Sequence, residues 1–246
     1  MGSSVSNTSV DLPPGAFYLP SSISSKEEAG LVRHLDAGEW SMELKRRVQH
    51  FGYHYDYRAR TVTSDAYLGP LPGWLWYLND RLVAKGLFAS APDQVIANEY
   101  LPGQGISAHI DCVPCFDDTI VSLSLLSECE MVFRERRGGA KLTVILEPCS
   151  AVVMTGAARY EWTHEIPARK SDGIDGMKVE RARRISLTFR KVIRTTYQVV
   201  IACCVGVIWE VKSLHLDERD LRSKAEFRIV TIERESFVAI SMQSLT

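Results

Sequence analysis

The sequence lacks an excess of charge of either sign, a long hydrophobic run and an apolar N-terminal segment. Its 29 Lys and Arg residues are balanced by 30 Asp and Glu residues, so nucleic-acid binding would have to come from a local basic patch. The longest apolar run, 197–209, is about 13 residues long, which is too short to cross a bilayer. The opening MGSSVSNTSVDLPP is polar, which predicts no secretory signal peptide.

Closely spaced cysteines are also scarce. Of the six cysteines, Cys112 and Cys115 form a C-x-x-C pattern, but a structural zinc site needs four ligands and no second pair stands at a suitable spacing. We therefore expect free thiols in a reducing compartment, either the cytoplasm or, in a eukaryote, the nucleus. We also expect a monomer that does not associate with a membrane.

The sequence is rich in short strand patterns beyond Pro92. Eight apolar or alternating stretches are separated by turn signals there, which predicts a mainly β fold with flanking helices and a jelly-roll core. These stretches are QVIANEY, ISAHIDC, TIVSLSLL, CEMVFRE, KLTVILE, SAVVMTG, RYEWTHEI and RRISLTFRKV. Helical patterns precede them at 24–40 and 73–88. We expect a disordered N-terminus at 1–15, an N-terminal helical segment at 16–90, a core at 91–192 and an unassigned C-terminal extension at 193–246.

The stretch ISAHIDC contains two candidate metal ligands, His109 and Asp111. Alternate residues of a strand share a face, with Cα atoms about 6.6 Å apart, so both side chains could bind one ion. Two histidines and one carboxylate form a set that holds Fe(II) and leaves positions open for other ligands. His164 in WTHEI is the only other histidine in the strand-rich segment. A half-exposed strand with a solvated polar face gives the same spacing and remains an alternative.

The last predicted strand, RRISLTFRKV, alternates polar and apolar residues. Its polar face carries Arg184, Ser186, Thr188 and Arg190. The two arginine Cα atoms lie about 20 Å apart in an extended strand, and two guanidinium forks suit a dicarboxylic acid. A solvated amphipathic strand is the alternative interpretation.

In combination, these motifs closely resemble the AlkB family of Fe(II)/2-oxoglutarate dioxygenases. The resemblance rests on NEYLPGQGISAHID, WTHEI and RRISLTFRKV in this order, and it extends from FYLP at 17–20 to Val192. The sequence is most similar to bacterial AlkB-like proteins and to the dioxygenase domain of the animal homologue fused to a tRNA methyltransferase. RRVQHFGY at 46–53 also resembles that branch.

The resemblance implies an Fe(II)-dependent jelly-roll dioxygenase with its core at 91–192 and a substrate-recognition lid within 16–90. Such an enzyme uses 2-oxoglutarate and O2 as cosubstrates, releases succinate and CO2, and oxidises alkylated or modified bases in DNA or RNA by demethylation or hydroxylation. The family's iron ligands fall on three residues: His109, Asp111 and His164. Its cosubstrate-binding residues fall on four: Asn98, Tyr100, Arg184 and Arg190. Arg184 matches the partner of the distal carboxylate, and Arg190 matches an arginine beside the ligand aspartate.

The segment 41–60 is aromatic and basic, with five Lys and Arg residues against Glu43 and Asp56. Stacking on aromatic rings and phosphate contacts from arginines hold unpaired bases in nucleic-acid enzymes. With the lid that the resemblance implies, this composition predicts nucleic-acid contacts from Arg46, Arg47, Phe51 and Tyr53. The alternating aromatics at 51, 53, 55 and 57 could instead form one packed strand face.

Two other functions remain open at the level of sequence. The same chemistry could demethylate or hydroxylate a protein side chain, or a catalytically silent homologue could bind nucleic acid without turnover. All three ligands and both arginines are present, which favours the enzyme.

Overall fold

The computed structural model describes residues 11–63, 65–174 and 176–193, together with 201–202 and 239–240. The chain divides into two units, Met1–Ile193 and Arg194–Thr246. In chain order the first unit contains β1 Ala16–Leu19, α1 Ser25–Ala37, β2 Arg47–Phe51, α2 Gly73–Ala84, β3 Gln94–Tyr100, β4 Ile106–His109, β5 Phe116–Leu126, β6 Cys129–Glu135, β7 Lys141–Leu146, β8 Ala151–Met154, α3 Gly156–Tyr160, β9 Trp162–Ile166, β10 Ser171–Ile174, β11 Met177–Glu180 and β12 Arg184–Val192.

Two antiparallel sheets form the body of this unit. The larger has six strands in the order β1-β8-β5-β12-β3-β2, and the smaller has four in the order β4-β9-β6-β7. Side chains from both sheets meet in one buried cluster that includes Phe116, Ile120, Met131 and Phe133. Strands β10 and β11 pair only with each other. The predicted mainly β fold with a jelly-roll core is confirmed.

Alternate residues of β12 point to opposite faces of the larger sheet, and both faces are buried. Ile185, Leu187 and Phe189 pack against α1 and α2 in a second buried cluster on the outer face of the larger sheet. The polar residues point the other way and are also buried, from Arg184 at 2 % exposure to Arg190 at 9 %. The solvated-strand alternative is therefore wrong, because this polar face lies inside the protein.

The two predicted helices form with shorter bounds. Ser24 accepts a hydrogen bond from the Glu27 backbone, and the Glu27 side chain accepts one from the Ser24 backbone, so a capping box starts α1. Leu31 and Leu35 of this helix are buried against the larger sheet. Helix α1 ends at Ala37, before Gly38, and α2 ends at Ala84 rather than at residue 88.

The chain turns sharply where β2 ends. Gly52 has a φ of +79°, and a Cβ atom there would lie 1.8 Å from the carbonyl oxygen of Asp93. Only glycine fits this position. Beyond it the chain leaves the sheet as a segment, residues 53–68, that we call the lid. Its tip closes through backbone hydrogen bonds between Asp56 and Thr61.

Two features differ from the sequence-based expectations. Elements β1, β2, α3, β10 and β11 were not predicted. Residues 13–15 are held by hydrogen bonds, including Ala158 N–H to the Pro14 carbonyl at 2.9 Å, so the predicted disordered segment does not extend to residue 15. Residues 1–10 of that segment lie outside the described part of the chain.

In the second unit, the described residues form β13 Ile201–Ala202 and β14 Ala239–Ile240, which pair antiparallel. Apart from Ile193, which belongs to the first unit, the rest of the unassigned extension 193–246 lies outside the described residues. Within the described ranges, none of the helices combines the length and the apolar composition needed to cross a membrane.

Candidate active site

His109, Asp111 and His164 meet inside the jelly roll. One candidate ligand atom from each residue lies within 4.8 Å of the others. His109 ends β4 directly opposite His164 in β9, and their ring centroids are 4.4 Å apart. Asp111 Oδ2 lies 3.6 Å from His164 Nε2. The arrangement can hold one divalent metal ion.

Asp111 reaches this cluster from a loop, because β4 ends at His109. The prediction that His109 and Asp111 share a strand face is therefore wrong, although their side chains do converge. Arg159 donates from Nη1 to the Asp111 carbonyl at 2.9 Å and so fixes the backbone. Arg190 holds the carboxylate with Nη2 at 2.6 Å and Nε at 2.8 Å from Oδ1.

The electrostatics of the cluster favour the protonation states that a metal needs. Burial would raise the pKa of Asp111, but the positive charges of Arg190 and, to a smaller extent, Arg159 outweigh it and hold that pKa well below its usual range. Burial, with a smaller contribution from His109, lowers the pKa of His164 to about 3. Asp111 is therefore a carboxylate and His164 a neutral imidazole at neutral pH, which are the ligating forms.

Arg184 presents an unsatisfied, buried guanidinium beside Tyr100. Its Nη2 donates to Ser124 Oγ at 2.8 Å, while Nε and Nη1 are buried without a hydrogen-bond partner among the described residues. Its Cζ lies 5.4 Å from the centroid of the Tyr100 ring. A buried cation with free N–H groups fits a carboxylate, so the residues present fit a dicarboxylate cosubstrate beside a metal. Arg190 is committed to Asp111 and does not converge with Arg184 on one anion.

Asn98 and Tyr100 lie next to this position on β3. Arg46 donates from Nε to Asn98 Oδ1 at 2.9 Å, and its Cζ lies 5.7 Å from the Tyr100 centroid. The ring of Tyr100 is therefore contacted by two guanidinium groups, those of Arg46 and Arg184. Since the Asn98 oxygen is occupied by Arg46, its amide NH2 is left to donate.

A cavity of about 600 Å³ joins the cluster to the lid. Its walls include the three candidate metal ligands together with Asn98, Tyr100 and Arg190. Arg46 and three residues of the lid, Tyr55, Tyr57 and Arg60, also line it. A substrate in this cavity would contact both the lid and the candidate metal position.

Of the four residues predicted to contact nucleic acid, the structure brings only Arg46 to the cavity. Arg47 lies on the opposite face of β2, where its Nε and Nη2 pair with Glu99 at 2.5 and 2.7 Å. Phe51 shares that face and packs edge-on against Trp74 at 5.4 Å. Tyr53 is 8 % exposed and does not line the cavity. Arg47, Phe51 and Tyr53 therefore lie outside the cavity. The alternative of one packed strand face is also wrong, because β2 ends at Phe51 and Tyr55 and Tyr57 line the cavity.

The residues that sequence reasoning missed are Tyr55, Tyr57 and Arg60. The two tyrosine rings meet edge-to-face with centroids 5.1 Å apart, and burial raises the pKa of Tyr57 to about 12, so its hydroxyl stays protonated. The signal was present in the sequence, since both tyrosines belong to the alternating aromatic series. After the turn at Gly52, Tyr55 and Tyr57 reach the cavity, whereas Phe51, before the turn, packs on the outer face of the larger sheet.

Cys112 and Cys115 form a disulfide directly after Asp111. The expectation of free thiols is wrong for this pair, because a turn in which Cys115 N–H donates to the Cys112 carbonyl brings their Cα atoms to 5.3 Å, within the usual range for a disulfide. Among the described residues, Cys129 and Cys149 remain free thiols.

Comparison with known proteins places this arrangement in a family. The profile of the 2OG-Fe(II) oxygenase superfamily matches residues 18–190, so the chain belongs to that superfamily. It is 37 % identical over 202 residues to "Alkylated DNA repair protein ALKBH8 homolog" of Arabidopsis thaliana, covering 73 % of this chain and 58 % of that protein. It is 40 % identical over 211 residues to "tRNA (carboxymethyluridine(34)-5-O)-methyltransferase ALKBH8" of Macaca fascicularis, covering 75 % of this chain and 31 % of that protein.

Among solved structures, OsALKBH1 has a similar fold, with a TM-score of 0.55 at 18 % identity over 74 % of this chain and 98 % of that chain. Within the superfamily the chain is therefore an AlkB-type Fe(II)/2-oxoglutarate dioxygenase. Its cofactor is Fe(II), and its cosubstrates are 2-oxoglutarate and O2.

Proposed function

We propose that this dioxygenase oxidises a C–H bond on a modified base of DNA or RNA that enters the cavity beneath the lid. One observation carries the proposal: a single cavity joins the metal-ligand cluster to four residues at its other end, Tyr55, Tyr57, Arg46 and Arg60. Aromatic rings suit the face of a base, and guanidinium groups suit phosphates. The relatives whose names refer to alkylated DNA and to tRNA support nucleic acid as the substrate class.

His109, Asp111 and His164 are the proposed ligands of Fe(II), which when bound supplies the activation of oxygen. A facial set of this kind leaves further positions for cosubstrate and O2. Arg190 keeps Asp111 ionised and oriented. His109 Nδ1 lies 2.7 Å from the Ser107 carbonyl, so a proton on Nδ1 donates there and leaves Nε2 for the metal.

Arg184 is the proposed partner of the distal carboxylate of 2-oxoglutarate. Its two unpartnered nitrogens can donate to the carboxylate, and the pair would be fully desolvated. Asn98 can add a donor, because Arg46 occupies its amide oxygen. These residues bind and orient the cosubstrate, while the surrounding jelly roll excludes water from the oxidation.

The test of this function is succinate release from 2-oxoglutarate with Fe(II) and ascorbate. The reaction is run alone, with N1-methyladenine in single-stranded DNA, with a tRNA anticodon stem-loop bearing a carboxymethyl-type uridine at position 34, and with a methylated peptide. We expect one of the nucleic acids to stimulate succinate release and the peptide to have no effect. Stimulation by the peptide alone would indicate a protein substrate, and RNA or DNA binding without any succinate would indicate a silent homologue.

Matched variants compare residues that line the cavity with residues of the same type outside it. Tyr57→Ala should weaken nucleic-acid binding by about 1–3 kcal/mol, the value of one base stacked on an aromatic ring, while Tyr67→Ala, which changes an exposed ring outside the cavity, should not. Arg60→Ala should flatten the salt dependence of binding because a phosphate contact is lost. Arg47→Ala should leave that slope unchanged, since Arg47 faces Glu99. Equal effects within either pair would contradict the proposed lid contacts.

A further inference from the structure

His50 contacts both cavity-lining tyrosines of the lid. Its Nδ1 lies 3.1 Å from the backbone nitrogen of Tyr55, which donates to it. Its ring meets Tyr57 edge-on with centroids 5.7 Å apart. The His50 side chain is 5 % exposed, and it leaves β2 one residue before the strand ends. Tyr55 and Tyr57 both line the cavity.

The hydrogen bond from Tyr55 fixes the tautomer of His50. A backbone N–H can only donate, so Nδ1 must carry a lone pair and the proton of the neutral ring must lie on Nε2. His50 Nε2 is 3.3 Å from Glu43 Oε1, but it is buried without a hydrogen-bond partner among the described residues, so the N–H of Tyr55 alone selects this tautomer. Burial, with smaller effects from His54 and Arg190, lowers the pKa of His50 to about 4, which keeps the ring neutral at neutral pH.

The same tautomer argues against a second metal site. Ligand atoms of Glu43, His50 and His54 lie within 4.8 Å of one another, and the two imidazoles stack with centroids 4.5 Å apart. A metal on Nε2 of His50 would move the ring proton to Nδ1, where it would meet the N–H of Tyr55. The cluster is therefore built to orient a histidine rather than to bind an ion.

We propose that His50, held as its Nε2–H tautomer by the N–H of Tyr55, is a positioning residue that sets Tyr55 and Tyr57 over the substrate cavity. This inference deepens the proposed function, because those tyrosines are the proposed base-stacking residues. His50 contacts the two tyrosines through one acceptor atom, Nδ1, and through its ring, and the two kinds of contact can be removed separately. His50→Phe keeps a ring and removes the acceptor, whereas His50→Asn offers an amide oxygen near the position of Nδ1.

The direct readout is amide hydrogen exchange at Tyr55 in the full chain, measured by NMR. We expect His50→Phe to speed this exchange at least about fivefold, the equivalent of one lost hydrogen bond, and His50→Asn to return it close to the wild-type rate. The 15N resonances of His50 in the wild-type protein should be those of the Nε2–H tautomer. His34→Phe, a change to another histidine that stacks on an aromatic ring, is the control and should leave Tyr55 exchange unchanged.

Binding separates this inference from the proposed function. With Mn(II) in place of Fe(II), His50→Phe should raise the Kd for the tRNA anticodon stem-loop or the N1-methyladenine DNA about five- to tenfold and leave 2-oxoglutarate affinity unchanged. Unaltered Tyr55 exchange in His50→Phe would overturn the positioning role, whatever the wild-type protein binds. If wild-type protein binds neither nucleic acid, the proposed function fails, and the exchange at Tyr55 still decides the role of His50.

Discussion

Replacing Arg184 with methionine should separate two effects of the buried cation. One is on the stability of the unliganded protein, and the other is on the affinity for 2-oxoglutarate. Arg184 is 2 % exposed, and two of its nitrogens have no partner among the described residues. Such unsatisfied groups cost about 1–3 kcal/mol, while the one hydrogen bond to Ser124 returns about 1 kcal/mol. We therefore expect Arg184→Met to leave the free energy of unfolding of the metal-free protein unchanged or to raise it by up to about 2 kcal/mol.

The same variant should bind 2-oxoglutarate poorly. A buried carboxylate that loses its charged partner loses about 2–5 kcal/mol, which corresponds to a rise in Kd of about 30- to 5000-fold. Titration of 2-oxoglutarate with Mn(II) bound measures this without turnover. A wild-type Kd in Arg184→Met would refute the assignment of Arg184 to the cosubstrate.

Arg190→Met is the matched control, because it removes the same group from the same strand. Arg190 pairs with Asp111 at 2.6 Å, so its loss leaves a carboxylate buried without its cation. We expect a destabilisation of about 3–5 kcal/mol, measured by urea denaturation of the metal-free proteins. If the two variants lower stability equally, the distinction between an unpaired and a paired buried arginine is wrong.

Three further predictions concern the metal, the lid turn and the extension. His109→Ala, Asp111→Asn and His164→Ala should each abolish succinate release and weaken Mn(II) binding with circular dichroism unchanged; wild-type turnover in any of them would rule out the ligand set. Gly52→Ala should destabilise the protein by more than about 1 kcal/mol in thermal unfolding, because the residue has a positive φ and a Cβ there would lie 1.8 Å from a backbone carbonyl oxygen. A chain ending at Arg194 should keep 2-oxoglutarate turnover, since β12 ends at Val192; a folded but inactive truncation would show that the extension takes part in the chemistry.

The strands of the core could be predicted where a clear pattern coincides with a paired, buried strand. The bounds of β3 and β6 match the stretches QVIANEY and CEMVFRE. Strand β2, RVQHF, was missed because polar and apolar residues occur on both of its faces, so its sequence has no clear period. Helix α3 is five residues long, and β10 and β11 depend on each other for pairing, so local sequence carries little signal for them.

The chemistry of the site was predictable from residue types and order, but its geometry depends on register. The register of β2 on β3 places Arg47 opposite Glu99 and Val48 opposite Asn98. This register decides which face of β2 points to the interior of the jelly roll. Both faces of β2 contain polar and apolar residues, so the sequence could not assign Arg47 to the outer side. Likewise, the convergence of Asp111 depends on Arg159, an arginine in α3 that no sequence motif connects with it.

The position of β4 at the edge of its sheet ties iron retention to local unfolding. This strand has four residues, pairs on one side only, and has a register irregularity between Ile106 and His109. Elements with few cross-strand bonds open more readily than the whole protein. An ion shared by His109, Asp111 and His164 would fasten this strand and the following loop to β9, so fraying and metal release become one event. The lifetime of the loaded centre is then set by how often this edge opens.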